Sequence, residues 1–190
     1  RDLRPLLIDW GEPGEAERAF TLTDYIAGRL ARALDEIGEP VALIGYCMGG
    51  NLAVALAQIR PDLISAVALL ATPWNFFAPM GGPHPALAAL RPALETMIEV
   101  LGELPLDVLQ MLFFSLDPTQ SWVKFRNFSA LDPASDAARR FVSLEDWAND
   151  GVPLAGPVAR ECLVGWYVEN TPALGGGRIS GEPTLPDGIE

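Results

Sequence analysis

The chain has 190 residues, 49% of them apolar and 20% charged, which is the composition of a globular domain able to bury a sizeable core. With 13 basic and 25 acidic residues its formal charge is −12, and Lys124 is its only lysine. That balance excludes a nucleic-acid binder or a basic membrane-surface helix, because both rest on clustered Lys and Arg. Two cysteines, Cys47 and Cys162, exclude a disulfide scaffold and point to a reducing compartment. The single histidine, His84, excludes zinc motifs such as H-E-x-x-H, and no cationic start leads into the short apolar run of a signal peptide.

Residues 6–10 (L-L-I-D-W) read as a short apolar strand ended by Gly11, Pro13 and Gly14. A helix follows, with Thr21 as N-cap and Asp24 closing a capping box. Leu22, Ile26, Leu30, Ala33, Leu34 and Ile37 form one stripe at helical spacing, and Gly38 and Pro40 stop it. Residues 41–44 are a second strand, 45–50 a tight turn, 51–60 a nearly all-apolar helix ended by Pro61, and 66–71 a third strand. Strands alternating with helices predict a parallel βαβαβ unit with right-handed crossovers.

A transmembrane hairpin competes with this reading, since 40–59 and 63–82 carry no charge and about 20 apolar residues span a bilayer. Gly45, Gly49, Gly50, Asn51 and Gln58 in the first run, and Pro73, Asn75, Pro79, Gly81 and Gly82 in the second, favour a buried α/β core instead.

From Thr72 the pattern turns helical, with candidate helices at 85–101, 105–115, 119–130, 134–149 and 155–169. Asp117-Pro118 and Asp132-Pro133 each read as a cap followed by proline at the first helical position. The predicted organisation is a partial α/β core over 1–77, a helical lid over 78–169, and a Gly/Pro-rich connector over 170–190, too poor in apolar residues to order itself. Both ends read as cut, so the chain is expected to be a fragment.

One motif carries chemistry. Gly45-x-Cys47-x-Gly49-Gly50 lies between a strand and a helix and matches the nucleophile elbow G-x-S-x-G with Cys in place of Ser. The strained turn requires small neighbours, lifts the sulfur above the strand end, and aims a helix N-terminus at it, which favours the reactive thiolate. The Met48 N–H then supplies half of an oxyanion hole. With glycine near 7% of residues, chance produces such a match in about 1% of chains this long. The alternatives are a buried structural cysteine among packing glycines and a phosphate loop. The phosphate loop fails because the spacing is neither G-x-G-x-x-G nor one ending in G-K-[ST].

Activating the thiol calls for a histidine oriented by an acid. His84 follows the third strand too soon for the usual order of nucleophile, acid and histidine, and Asp9 reads as a turn cap. The acid and histidine are therefore expected beyond Glu190.

The segments L-I-D-W-G-E-P (7–13), T-L-T-D-Y-I (21–26), L-I-G-Y-C-M-G-G-N-L (43–52) and A-T-P-W-N-F (71–76) together resemble the polyhydroxyalkanoate synthases, most nearly the class III kind. The resemblance covers 6–77 well. It implies a partial α/β-hydrolase core (parallel βαβαβ) followed by an inserted helical cap, and polymerisation of 3-hydroxyacyl groups from coenzyme A thioesters by a Cys–His–Asp triad. Carried over, Cys47 is the acyl-accepting nucleophile, Met48 N–H an oxyanion donor, and Gly45, Gly49 and Gly50 the elbow glycines. The triad Asp and His have no matching positions in 1–190, and the loop giving the second oxyanion donor falls before Arg1. Where the family commonly carries Asp in T-P-x-D-F, this chain has Asn75.

Lys124, Arg126, Arg139 and Arg140 are candidate contacts for coenzyme A phosphates, weighed against ordinary surface charge. The resemblance implies no resident cofactor or metal, a small-molecule acyl-coenzyme A substrate, a homodimer or a second synthase subunit as partner, and a cytoplasmic location at polyester granules. Two further readings stand beside it: a cysteine-dependent hydrolase resembling dienelactone hydrolases or an acyl thioesterase, and a non-catalytic relative that binds acyl chains or a partner. The isolated chain is expected to be nearly inactive and poorly soluble.

Overall fold

The computed structural model describes residues 3–78, 81–83, 85–116, 118–187 and 189. Its centre is a strand–helix–strand unit. Strand β1 (Val41–Tyr46) pairs in parallel with strand β2 (Ile64–Leu70), Leu43 lying opposite Val67 and Tyr46 opposite Leu70. Parallel strands need a crossover to return the chain to their common starting end. Helix α2 (Met48–Ile59) provides it, and the turn Pro61–Leu63 leads into β2. α2 is buried at every position from Gly50 to Ala57, as its apolar composition requires. Residues 40–59 are thus a strand and a core helix. Among the described residues no helix is long and apolar enough to cross a membrane.

The capping box before β1 forms as its sequence predicts. Thr21 Oγ1 accepts from the Asp24 N–H at 3.3 Å, and the Asp24 carboxylate accepts from the Thr21 N–H at 2.8 Å. The helix is wide-turned, with π geometry, over Asp24–Leu30, then tightens into α1 (Ala31–Ile37) and ends at Gly38 with φ 72°. The wide turn moves the inward stripe. Leu22, Ile26 and Leu34 are buried as expected, Ala31 joins them, and Leu30, Ala33 and Ile37 are only half-buried. The five-residue step from Ile26 to Ala31 is what a π turn imposes.

The strand expected at 6–10 does not form, so the parallel sheet has two strands, not three. The segment takes no regular structure and joins no sheet, with Leu7 95% exposed. Local contacts fix its end instead. The Gly11 N–H donates to Asp9 Oδ1 at 3.0 Å, the turn-capping role read for Asp9, and Trp10 meets Tyr25 edge-on at 5.3 Å. The sheet face turned away from α2 carries Ile44 (72% exposed), Tyr46 and Leu70, all exposed, with the Tyr46 ring 6.3 Å from that of Trp147.

The helical region follows its predicted order: α3 (Pro85–Leu101), α4 (Leu106–Leu116), α5 (Pro118–Ser129) and α6 (Asp136–Asn149). Strands β3 (Glu103–Leu104) and β4 (Leu154–Ala155) pair antiparallel and close the excursion that carries α4 to α6. The Asp132-Pro133 expectation is corrected. Asp132 Oδ1 accepts from the Ala134 N–H in a turn ahead of the helix, and Ser135 is the cap, its Oγ accepting from Ala138 N–H at 3.1 Å. Asp117 lies outside the described residues.

The last helix starts as α7 (Gly156–Arg160) and widens to π geometry over Glu161–Trp166. It joins two cores. Val158, Cys162 and Trp166 pack with Leu22, Ile26 and Leu56, while Ala159 and Leu163 pack with Leu87, Leu94 and Leu104. The tail expected to lack order is instead docked on the first core. Its hairpin pairs β5 (Arg178–Ile179) with β6 (Glu182–Pro183), Ile179 is buried, and the Leu185 N–H donates to Gln58 Oε1 at 2.9 Å. Ile179, the Gln58 bond and the Ser180 N–H bond to Thr23 Oγ1 at 3.2 Å anchor it where composition alone predicts no order.

Candidate active site

Cys47 sits between β1 and α2 with φ 49° and ψ −122°, a left-handed conformation that side chains rarely adopt. Two bonds hold it there. Its N–H donates to the Leu70 carbonyl at the end of β2, and its carbonyl accepts from the Gly50 N–H, both at 2.9 Å. The elbow is therefore pinned to the neighbouring strand as well as to its own helix. Cys47 is also the N-cap of α2, so the first helical amide, that of Met48, lacks an intrahelical partner and lies beside the sulfur-bearing residue.

Two of the three elbow glycines are sterically required. A Cβ on Gly45 would lie 2.5 Å from Gly50 Cα, and one on Gly50 would lie 1.8 Å from Thr72 Oγ1. A Cβ on Gly49 would meet nothing within 4 Å, so close packing does not explain that glycine.

Cys47 is half-buried with a free thiol, whereas Cys162 is buried. Burial, with the charge of Glu161 adding to it, pushes the Cys162 thiol well above the ordinary cysteine value. Tyr167 is half-buried at the end of the last helix. Burial first, and then negative charge at Cys47 and Cys162, raises its phenol to about 12. Its ring meets Phe76 edge-on at 4.7 Å.

The segment after β2 is locked to the end of the last helix. Asn170, 3% exposed, accepts the Phe76 N–H at 2.9 Å and donates to Asn75 Oδ1 at 2.9 Å. Asn75 Oδ1 also accepts from the Phe77 N–H at 3.0 Å. Asn170 has φ 54°, the left-handed geometry in which asparagine commonly ends a helix. Sequence reading did not single out Asn170 or Tyr167, because their importance depends on contacts with segments about 90 residues away. The N-T pair after an aromatic helix end was the available signal.

The four cationic residues read as phosphate contacts have local surroundings. Lys124 pairs with Glu145 at 2.8 Å, Arg126 lies over the Trp122 ring, Arg139 pairs with Asp136, and Arg140 is exposed on α6. His84 lies outside the described residues.

The model of the alpha/beta hydrolase fold matches residues 3–156. Over 183 residues the chain is 31% identical to the poly(3-hydroxyalkanoate) polymerase subunit PhaC of Allochromatium vinosum, covering 92% of this chain and 50% of that protein. The subunit of the same name from Thiocystis violacea is 28% identical over 93% of this chain and 51% of its own length. That of Synechocystis is 30% identical over 86% and 46%. The chain thus spans about half the length of these curated relatives.

Proposed function

The chain belongs to the alpha/beta hydrolase fold family, and on that footing we propose that it forms part of a polyhydroxyalkanoate-synthase-type acyltransferase with Cys47 as nucleophile. The observation that carries this reading is the strained Cys47 elbow, held by the Leu70 and Gly50 bonds at the N-terminus of α2. The similarity to the PhaC subunits supports the substrate class, a 3-hydroxyacyl coenzyme A thioester.

In this reading the Cys47 thiolate attacks the thioester carbonyl. The carbonyl oxygen takes the negative charge of the tetrahedral intermediate and accepts a hydrogen bond from the Met48 N–H. Collapse breaks the bond to the coenzyme A sulfur, which leaves as a thiolate and takes a proton, and the acyl group stays on Cys47. One thioester replaces another, so the step is close to balanced. The hydroxyl oxygen of a second 3-hydroxyacyl coenzyme A thioester then attacks the Cys47 thioester carbonyl; the new ester C–O bond forms, the C–S bond to Cys47 breaks, and the hydroxyl proton passes through the base to the released Cys47 sulfur. The thiol proton needs a base, which the family chemistry assigns to a histidine held by an aspartate. No residue within 1–190 is assigned to either role. Arg126, Arg140, Lys124 and Arg139 are proposed for the coenzyme A phosphates.

The test is single-turnover acylation with 3-hydroxybutyryl-coenzyme A, followed by mass mapping. The reading expects the acyl group on the Cys47 peptide with one equivalent of coenzyme A released, and neither in Cys47→Ala.

A further inference from the structure

A cavity of about 430 Å³ lies between α2, the last helix and the tail hairpin. That volume suits a small amphiphile. Leu22, Ile26, Leu52, Trp74, Val164 and Trp166 give it apolar walls. Cys47 is not among the residues lining it.

Its charged groups are Arg91, Arg160, Arg178, Glu161 and Glu169, a net cationic set in a chain of charge −12. The two carboxylates are already engaged. Glu169 accepts from Arg91 at 3.2 Å, and Glu161 Oε1 accepts from the Leu22 N–H at 3.0 Å. Among the described residues Arg160 and Arg178 pair with no carboxylate. Both are exposed at the rim, Arg178 also donating to the Gly181 carbonyl at 3.1 Å, and guanidinium groups beside apolar walls favour a carboxylate or phosphate there.

Asn51 supplies a second, independent observation. It lines the cavity and is 6% exposed. Its Nδ2 donates to the Pro73 carbonyl at 3.0 Å, but among the described residues its buried Oδ1 has no donor. A buried acceptor without a donor costs free energy, and native structures rarely leave one unsatisfied. A small turn of the Asn51 amide that opens Oδ1 to the cavity lets a donor arriving with a ligand remove that deficit.

We propose that this cavity binds an anionic amphiphile with an N–H donor next to its headgroup, the chemistry of an N-acyl amino acid. The aliphatic chain lies along Leu22, Ile26 and Trp166, the amide N–H meets Asn51, and the carboxylate meets Arg160 and Arg178. Asn51 also holds the Pro73 carbonyl beside the elbow, so the occupied wall is one that positions the segment after β2.

The experiment is calorimetric titration of the protein with three matched probes below their micelle concentrations: N-decanoylglycine, its N-methyl form lacking the N–H, and its uncharged glycinamide. The expected result is binding of N-decanoylglycine about tenfold tighter than either other probe, the scale of one charge-assisted or buried hydrogen bond. Arg160→Gln with Arg178→Gln abolishes the preference over the glycinamide, and Asn51→Leu abolishes the preference over the N-methyl form. The two arginines are exposed, so their double variant tests the headgroup contact even if Asn51→Leu fails to fold. Equal affinity for the three probes, or preferences unchanged in the arginine variant, overturns the proposal. Cys47→Ser retains the binding; its loss there means the probe is captured at the elbow and overturns the proposal equally.

Discussion

Asn170 donates to Asn75 Oδ1 at 2.9 Å across 95 residues of chain. The same side chain accepts the Phe76 N–H, so one buried amide joins the end of the last helix to the segment that follows β2. Asn170→Ala leaves the Phe76 N–H without its partner and places alanine at φ 54°. The expected loss is about 2–4 kcal/mol of stability, from an unsatisfied buried group plus left-handed strain. Urea unfolding measures it. Asn75→Asp retains the acceptor oxygen for Asn170 and Phe77 and is expected to cost far less.

The elbow glycines separate cleanly. Gly50→Ala drives a Cβ into the Thr72 side chain and is expected to cost about 1–3 kcal/mol, as overpacking does. Thr72→Gly in the same chain recovers part of that loss, because the clash is with the Thr72 side chain. Gly49→Ala meets nothing and stays within about 1 kcal/mol of the parent, helped by helix propensity. Thermal unfolding of the three variants checks the order.

The two cysteines differ in access. Cys47 is half-buried on the elbow, while Cys162 lies in the core with its thiol pushed up by burial. Brief iodoacetamide treatment of the native protein is expected to label Cys47 alone, with Cys162 reacting only in denaturant, as thiolate character and exposure govern alkylation. Peptide mapping reads the result, and equal labelling of both contradicts the placement of Cys162.

Legibility followed the range of the interactions. The elbow was readable because its steric demands fall within six residues, Gly45 to Gly50. The capping box at Thr21 and Asp24 and the order of the helices were readable for the same local reason. Residues 6–10 have strand composition, but pairing depends on a neighbour that composition does not reveal. The π turn at Asp24–Leu30 brought Ala31 into the buried face and left Leu30 half-buried, which a fixed helical period cannot anticipate. The tail misled in the opposite sense, since Ile179 and the Gln58 bond anchor a stretch of low apolar content. Asn170 and Tyr167 left only a faint local signal because their partners at 75–76 lie about 90 residues away in sequence.

Two titrations carry opposite signs. The Asp24 carboxyl is held below its ordinary value by hydrogen bonds from Thr21. Its folded value lies below the unfolded 3.8, so its contribution to stability is present above that pH and is lost as pH falls through the lowered folded value. Asp24→Asn flattens this acid limb. Tyr167 behaves oppositely, with a folded value of about 12 above the unfolded 10. Stability is unaffected by it below pH 10 and declines as pH rises toward 12, and Tyr167→Phe removes that decline. Near-ultraviolet phenolate absorbance and denaturant midpoints across pH test both.

The central claim is that Cys47 accepts the acyl group. The most direct measurement is rapid-quench mass mapping of the protein, expressed from its full reading frame, after mixing with 3-hydroxybutyryl-coenzyme A. The account predicts one 3-hydroxybutyryl thioester on the Cys47 peptide, formed in step with coenzyme A release and absent in Cys47→Ala. Undiminished coenzyme A release from Cys47→Ala, or the acyl group on a different residue, contradicts it.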